Sequence, residues 1–154
     1  MSDRISEHVS FKEGIKSHTA TRLNIDNAPS DLDLVNMKII AEKVFEPLRE
    51  FVGGPIAINS FYRSPKLNSA IGGSTSSQHC SGRALDIDDK YGYKTNAEMF
   101  KYIQCNLDYD QMIWEFGDVN NPDWVHVSYV SEDVNRRRCL IAYKEKGKTK
   151  YKVI

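Results

Sequence analysis

The chain has 154 residues, with 21 Lys and Arg against 21 Asp and Glu, so its formal net charge is zero. A single domain of this length can bury most of the surface that its unfolded chain exposes. The balanced charge excludes a global attraction to nucleic acid or to an anionic membrane, so a charged partner must be recognised locally.

No part of the sequence predicts export or membrane insertion. The start, Met1–His8, is polar and lacks the apolar run of a secretory signal, and no stretch is long enough to span a bilayer. We therefore expect a chain that is cytoplasmic as synthesised. Cys80, Cys105 and Cys139 are odd in number and widely spaced, which favours reduced thiols over a disulfide framework.

Near-helical spacing of apolar residues predicts the longest helix over about residues 30–51. Ser30 is a favourable N-cap with Asp33 at the capping-box position, and the run Gly53–Pro55 ends the helix. The predicted apolar positions are Leu32, Val35, Ile39, Val44, Leu48 and Phe51.

The next two elements are short. Pro55–Phe61 is rich in apolar and β-branched residues, which predicts a strand of the central sheet. Ser64 and Pro65 are typical of the N-cap and the first position of a helix, here over residues 66–71. A polar, glycine-rich loop follows over residues 72–77.

The second half predicts one more helix and then several strands. Thr95–Glu98 has the form of a capping box and opens an amphipathic helix. Strands are predicted at Gln111–Glu115, Trp124–Val130 and Arg138–Tyr143, with a last hairpin that turns near Gly147 and runs to Val153. We expect one α+β domain over residues 1–154, with a central antiparallel sheet and helices packed on one face.

Apolar and acidic residues alternate over residues 83–88, which predicts a strand with two different faces. Leu85 and Ile87 would enter the core, and Asp86 and Asp88 would face the other way. A bend near Gly82 would bring His79 beside Asp86, whereas seven residues of helix would separate them by about 10 Å.

A second segment, about forty residues further on, supplies another imidazole. Trp124, His126 and Ser128 share one face of a predicted strand. His79, Asp86 and His126 then make a set of two nitrogens and one oxygen, which suits zinc and leaves a fourth position open for water. Other metals with similar preferences could take the same ligands.

A catalytic zinc site also needs a base that accepts and returns protons. Asp123 lies three residues before His126, on the turn that delivers this ligand, and Glu115 is the rival carboxylate. Taken singly, each of these residues is more typical of a solvated surface. Their joint arrangement favours a metal site.

These segments resemble the zinc D-alanyl-D-alanine carboxypeptidase family. It includes cell-wall D,D-carboxypeptidases, vancomycin-resistance D,D-dipeptidases and phage endolysins that cleave L-alanyl-D-glutamate bonds, and it shares its fold with the hedgehog signalling domain. The resemblance is carried by the segments Ser60–Pro65, Ser77–Asp86 and Asp123–Ser128. It extends over about residues 11–129, is closest to compact single-domain phage and prophage members, and leaves residues 130–154 as a hairpin extension.

The resemblance implies a role for each residue of the predicted site. His79, Asp86 and His126 resemble the ligands of one zinc ion, and Asp123 resembles the catalytic base. The implied reaction is hydrolysis of peptide bonds in peptidoglycan stem peptides, of the carboxypeptidase or the endolysin type.

The resemblance also implies residues that contact the substrate. Arg63 resembles the arginine that binds substrate and polarises its carbonyl, and a guanidinium suits this role because it gives two hydrogen bonds to a carboxylate. Ser77 and Gln78 are expected to contact the substrate backbone or to orient the neighbouring ligand.

The expected partner is the peptidoglycan stem peptide, without nucleic acid and without membrane insertion. Access to the cell wall would follow holin-dependent release of phage type, or carriage in a virion. The alternative function is a catalytically silent, zinc-containing wall-binding module or a component of a phage particle. The lysine-rich end, Lys144–Lys152, is expected to form an exposed edge hairpin.

Overall fold

The computed structural model describes residues 4–154, so the first three residues of the polar start lie outside the described part. The fold begins with a small two-stranded sheet followed by two short helices. These elements are β1 (Arg4–Ser6), β2 (Val9–Ser10), α1 (Phe11–Ile15) and α2 (His18–Leu23). They lead into the long predicted helix.

That helix is one continuous helical run of three parts. They are α3 (Asp31–Ile40), a π-helical turn (Ala41–Phe45) and α4 (Glu46–Val52). The predicted capping box is confirmed, because the Ser30 hydroxyl accepts from the Asp33 amide at 3.1 Å and the Asp33 carboxylate accepts from the Ser30 amide at 3.1 Å. Gly53 ends the run in the left-handed conformation at φ 77°. No helix within residues 4–154 is long and apolar enough to cross a membrane.

The buried face of this helical run differs from the predicted one. Leu32, Val35, Ile39 and Phe51 are exposed, although they were expected in the core. The step from Ile39 to Val44 spans five residues and enters the π-helical turn, so it breaks the three- or four-residue spacing that keeps side chains on one face, and the predicted set joined separate stripes. The buried stripe is Met37, Ile40, Ala41, Val44, Phe45, Leu48 and Val52.

A six-stranded sheet forms the centre of the domain, in the order β3-β4-β6-β5-β7-β8. Its strands are β3 (Ala57–Ser60), β4 (Ala84–Asp88), β5 (Gln111–Glu115), β6 (Trp124–Ser128), β7 (Arg138–Glu145) and β8 (Lys148–Val153). Four of the five strand pairs are antiparallel, as predicted. The predicted antiparallel sheet is wrong for one pair, because β5 and β7 run parallel.

The connection between β6 and β7 explains the parallel pair. Because β6 is antiparallel to β5, the chain leaves β6 beside the start of β5. Residues 129–137 then cross over the start of β5, so β7 begins there and runs in the same direction as β5. The crossing is fixed where the amides of Arg137 and Arg138 donate to the carbonyls of Tyr109 and Asp110 at 3.1 and 3.0 Å.

The two faces of the sheet have different surroundings. The remaining helices are α5 (Pro65–Ala70), a 3₁₀ turn (Gln78–Ser81) and α6 (Asn96–Asn106). One sheet face packs on the long helical run and α6 to form the main core, and its residues include Leu85, Ile87, Met112, Val125, Val127 and Cys139. The opposite face is open and carries Asp86, Ile113, His126 and Leu140, which are aligned across four strands. The α+β prediction with helices on one face is confirmed.

Two leucines of the long helical run provide a matched test of its orientation. We expect Leu48→Ala to lower the free energy of unfolding by about 2–5 kcal/mol, because Leu48 is fully buried. Leu32→Ala should change it by less than about 0.5 kcal/mol, because Leu32 is 67% exposed. Denaturant titration of both variants measures the difference, and equal losses would contradict the orientation.

Candidate metal centre

His79 is delivered to the sheet by a tight turn. The 3₁₀ turn Gln78–Ser81 is capped by Ser77 and closes at Gly82, whose φ of 74° favours glycine. A Cβ atom at Gly82 would lie 2.5 Å from the Asp33 carbonyl oxygen, so only glycine fits against the long helix. The Gly82 amide donates to the His79 carbonyl at 3.2 Å, which fixes the bend just before β4.

The His79 ring is buried and oriented by a backbone carbonyl. Its Nδ1 lies 2.7 Å from the Phe61 oxygen, and since a carbonyl only accepts, Nδ1 carries the proton. The other nitrogen, Nε2, is therefore an unprotonated donor atom for a metal. Burial lowers the pKa of His79, an effect that exceeds the opposing influence of Asp86, so the ring is held neutral.

Asp86 lies between the two histidines. It is directly opposite His126 in the β4–β6 register, and His126 Nδ1 is 2.9 Å from Asp86 Oδ1. His79 Nε2 is 3.3 Å from the same oxygen but makes no hydrogen bond. Burial alone would raise the pKa of Asp86, but the two histidines outweigh this effect and hold the pKa below its ordinary value.

The three side chains fit a zinc ion. Their ligand atoms all lie within 4.8 Å of one another. Tetrahedral zinc with bonds of about 2.0–2.1 Å separates its ligand atoms by about 3.3 Å, close to the 3.3 and 2.9 Å between Asp86 Oδ1 and the nitrogens of His79 and His126. His79 Nε2 is a buried side-chain atom without a hydrogen-bond partner in the described residues, and a cation at the common point would satisfy it.

Arg63 lies next to this set, as the sequence predicted. Its guanidinium donates to Asp86 Oδ2 at 3.1 Å, to Ser60 Oγ at 3.0 Å and to Asn68 Oδ1 at 3.3 Å. Three partners on three segments hold the planar group in one orientation, at the wall of the cleft that the metal ligands line.

Ser77 and Gln78 also line the cleft. The Ser77 hydroxyl accepts from the His79 amide at 3.3 Å, and Gln78 Nε2 donates to Asp110 Oδ2 at 2.9 Å. Both therefore orient the turn that carries His79. Their predicted contact with substrate stays a prediction.

Glu115 is the carboxylate that shares the cleft with the metal ligands. On β5 it lies two residues from Ile113, which is opposite His126, so it occupies the diagonal position to that ligand. Its side chain makes no hydrogen bond or ion pair within the described chain, and it is only 8% exposed. Burial raises the pKa of Glu115 to about 7.

Asp123 lines a cavity next to the cleft of the metal ligands, and its predicted role as the base stays a prediction. It is exposed just before β6, and it lines a neighbouring cavity with Ala97 and Phe100 of α6. Asp123 is not among the residues that line the cleft of the metal ligands, whereas Glu115, the rival carboxylate of the sequence analysis, is.

Sequence reasoning missed the far wall of the cleft. Arg136, Arg138, Leu140 and Tyr151 line it, although residues 130–154 were treated as a peripheral extension. Their position depends on the parallel pairing of β5 with β7, which brings a late segment onto the open face.

A second group of potential ligands lies where the β1–β2 turn meets the long helical run. Glu7, His8 and Glu46 could also hold an ion, but all of them are partly or largely exposed. Both Glu46 oxygens are already engaged, by Ser6 Oγ at 2.5 Å and by the amide and Nδ1 of His8 at 2.8 and 2.6 Å. These bonds attach the β1–β2 turn to the helix, which explains the cluster without a metal.

An α+β domain with a buried two-histidine, one-carboxylate set on an open sheet face has the architecture of a mononuclear zinc hydrolase. A family model described as Peptidase M15 matches residues 7–128. The chain belongs to this family, the zinc D-Ala-D-Ala carboxypeptidase family that the sequence predicted. The match covers the three ligands, and membership implies a metallopeptidase that uses zinc. No curated protein matches the chain.

Loss of one ligand tests the metal centre. We expect His126→Ala to weaken zinc binding by more than about a hundredfold, since even residues that only orient a ligand cost 10–100-fold. His8→Ala should leave the affinity unchanged, because His8 belongs to the group that attaches the β1–β2 turn. Competition against a chromophoric chelator measures both affinities. Equal affinity in His126→Ala and the native chain would exclude His126 as a ligand.

Proposed function

We propose that this protein is a zinc metallopeptidase that hydrolyses peptide bonds in bacterial peptidoglycan stem peptides. The observation that carries the proposal is the unsatisfied Nε2 of buried His79, which points to the same place as His126 and Asp86 inside a cleft. A purely structural zinc site would have four protein ligands and no open position. Three protein ligands at the wall of a cleft leave the fourth coordination position open, and this favours a catalytic site.

One zinc ion held by His79, Asp86 and His126 would supply a Lewis acid, which polarises a carbonyl and makes water a nucleophile at neutral pH. The protein residues then have to bind the peptide and move the protons. Arg63 and Glu115 line the cleft and are the groups available for these two functions.

Arg63 is suited to bind the substrate. Its three hydrogen bonds fix the guanidinium beside Asp86, and the remaining N–H groups can donate to a substrate carboxylate or to the oxygen of the scissile carbonyl. Negative charge that develops on this oxygen during attack would be stabilised by a donor that needs no reorganisation.

For the base we propose Glu115. It accepts the proton of the attacking water while the water oxygen bonds to the carbonyl carbon, and it returns the proton to the amine when the C–N bond breaks. Its support is its place in the cleft and the absence of a hydrogen-bond partner within the described residues, and burial raises the pKa of this carboxyl, which favours proton uptake. Asp123, to which the resemblance gives this role, stays the alternative prediction, but it lines a neighbouring cavity.

Two isosteric substitutions separate the candidate bases. We expect Glu115→Gln to lower kcat by about 10²–10⁴-fold, the usual contribution of a general base, while zinc content is unchanged. Asp123→Asn should retain most activity and serves as the matched control. Amine release from the zinc-loaded variants gives both rates. A large loss in Asp123→Asn with normal turnover in Glu115→Gln would transfer the role to Asp123.

Purified peptidoglycan tests the proposed function itself. The zinc-loaded chain should release new amino groups, a chelator should abolish the release, and added zinc should restore it. The reason is that the three ligand residues cannot polarise a carbonyl or activate water without the ion. Mass spectrometry of the products identifies the bond, and thus a carboxypeptidase or an endolysin. Binding to peptidoglycan without release of amines would instead establish a wall-binding module.

A further inference from the structure

We propose that the cleft contains a second anion-binding subsite, in which Arg138 binds a free carboxylate of the substrate about three to four residues away from the scissile bond. This inference rests on the proposed function, since it assumes a peptide in the cleft. It concerns the wall of the cleft opposite Arg63.

The sheet register places Arg138 on the same face as the metal ligands. Arg138 is paired with Gln111 on β5, and Leu140, two residues later, is paired with Ile113. Ile113 is in turn opposite His126. Side chains at alternate positions share a face, so Arg138, Leu140 and His126 all face the cleft, which Arg138 lines.

Arg138 is the cationic group of this cleft that lacks a partner within residues 4–154. Arg63 is paired with Asp86, and Arg136 is paired with Asp110. No described residue accepts a hydrogen bond from the Arg138 guanidinium, and none forms an ion pair with it. An unpaired guanidinium at the wall of a binding cleft is a docking point for an anion.

A buried carboxylate holds the neighbouring wall in place. Asp110 is 3% exposed and accepts from Arg136 Nε at 3.0 Å, from Arg136 Nη2 at 2.9 Å and from the Arg136 amide at 3.0 Å. It also accepts from Gln78, the residue before the ligand His79. The start of β7 is therefore tied to the metal-binding turn, so the wall that carries Arg138 keeps a fixed position relative to the metal centre.

The spacing of the strands sets the length of the ligand. Strand β5 separates β6, which carries His126, from β7, which carries Arg138. Two strand spacings amount to roughly 10 Å, and Arg138 lies two residues, about 7 Å, along β7 from Leu140, which is level with His126, so the two positions are about 12 Å apart. An extended peptide covers about 3.3–3.6 Å per residue, so a carboxylate that reaches Arg138 lies about three to four residues from a scissile bond at the metal centre.

The surface between the two ends is apolar. Ile113 and Leu140 are 7% and 6% exposed and form a small cluster with Ala142 on the open face. A peptide that crosses it would bury an apolar segment between a carbonyl at the metal centre and an anionic group at Arg138. The ligand class is thus a short peptide with a free carboxylate, which a peptidoglycan stem peptide provides.

This subsite lies outside the part of the chain that matches the family model. The match ends at residue 128, and Arg136 and Arg138 follow it. The subsite would therefore contribute a preference of this chain among substrates that share the same metal chemistry.

The experiment compares two forms of one stem peptide, with free side-chain and α-carboxylates or with these groups converted to primary amides. The zinc-loaded native chain should show about a tenfold lower KM for the free form at unchanged kcat, as expected for one charge-assisted contact at a partly solvated site. Arg138→Gln should lose this preference, and Arg138→Lys should recover part of it. Calorimetric binding to the chelator-treated full chain should show the same ratio of Kd values.

Arg137→Gln is the matched control, because it removes the same charge one residue away. Arg137 donates to the Leu107 carbonyl at 3.2 Å and lies over the Tyr109 ring, away from the cleft. It should keep the native preference. An undiminished preference in Arg138→Gln, or equal binding of both peptides to the native chain, would overturn the subsite. Absence of hydrolysis with a preserved binding preference would overturn the proposed function and leave the subsite standing.

Discussion

The site depends on one buried carboxylate, Asp86, and on the groups that compensate its charge. A carboxylate with 7% exposure is costly unless ion pairs and hydrogen bonds replace its water. Here the partners are His79 from a turn, His126 from the adjacent strand and Arg63 from the segment after β3. These segments are far apart in the chain, so the fold must be complete before the charge is neutralised. The same convergence creates the metal site.

Strand β4 contributes side chains both to the main core and to the metal site. Leu85 and Ile87 of β4 enter the main core, and Asp86 between them faces the cleft. The helices need only cover one sheet face, which leaves the other face free for polar groups that a core would exclude. The Phe61 carbonyl accepts the Nδ1 proton of His79 from the core side and so fixes the tautomer of the ring. The other nitrogen, which faces the cleft, is then free to bind a metal.

The cleft is asymmetric, and its asymmetry comes from the end of the chain. Metal ligands and Arg63 occupy one wall, whereas β7 and β8 supply Arg138, Leu140 and Tyr151 on the other. Glu115 lies between the walls, on the strand that joins the two halves of the sheet. A family with one metal chemistry and several cleavable bonds can vary such a wall without disturbing the ligands, because the ligand strands pair with one another independently of β7.

Local patterns in the sequence were sufficient to predict several of this protein's elements and its metal site. Capping residues fixed the starts of the long helix and of α6, alternation identified β4 and β6, and the types and spacing of His79, Asp86 and His126 predicted a zinc site. These features depend on neighbours within a few residues. Tertiary structure alone decided which stripe of the long helix is buried, which carboxylate enters the cleft and that β7 lies parallel to β5. Asp123 and Glu115 carry the same functional group, a carboxylate. Which of them lines the cleft with the metal ligands depends on the pairing of distant strands, and the local sequence does not encode that pairing.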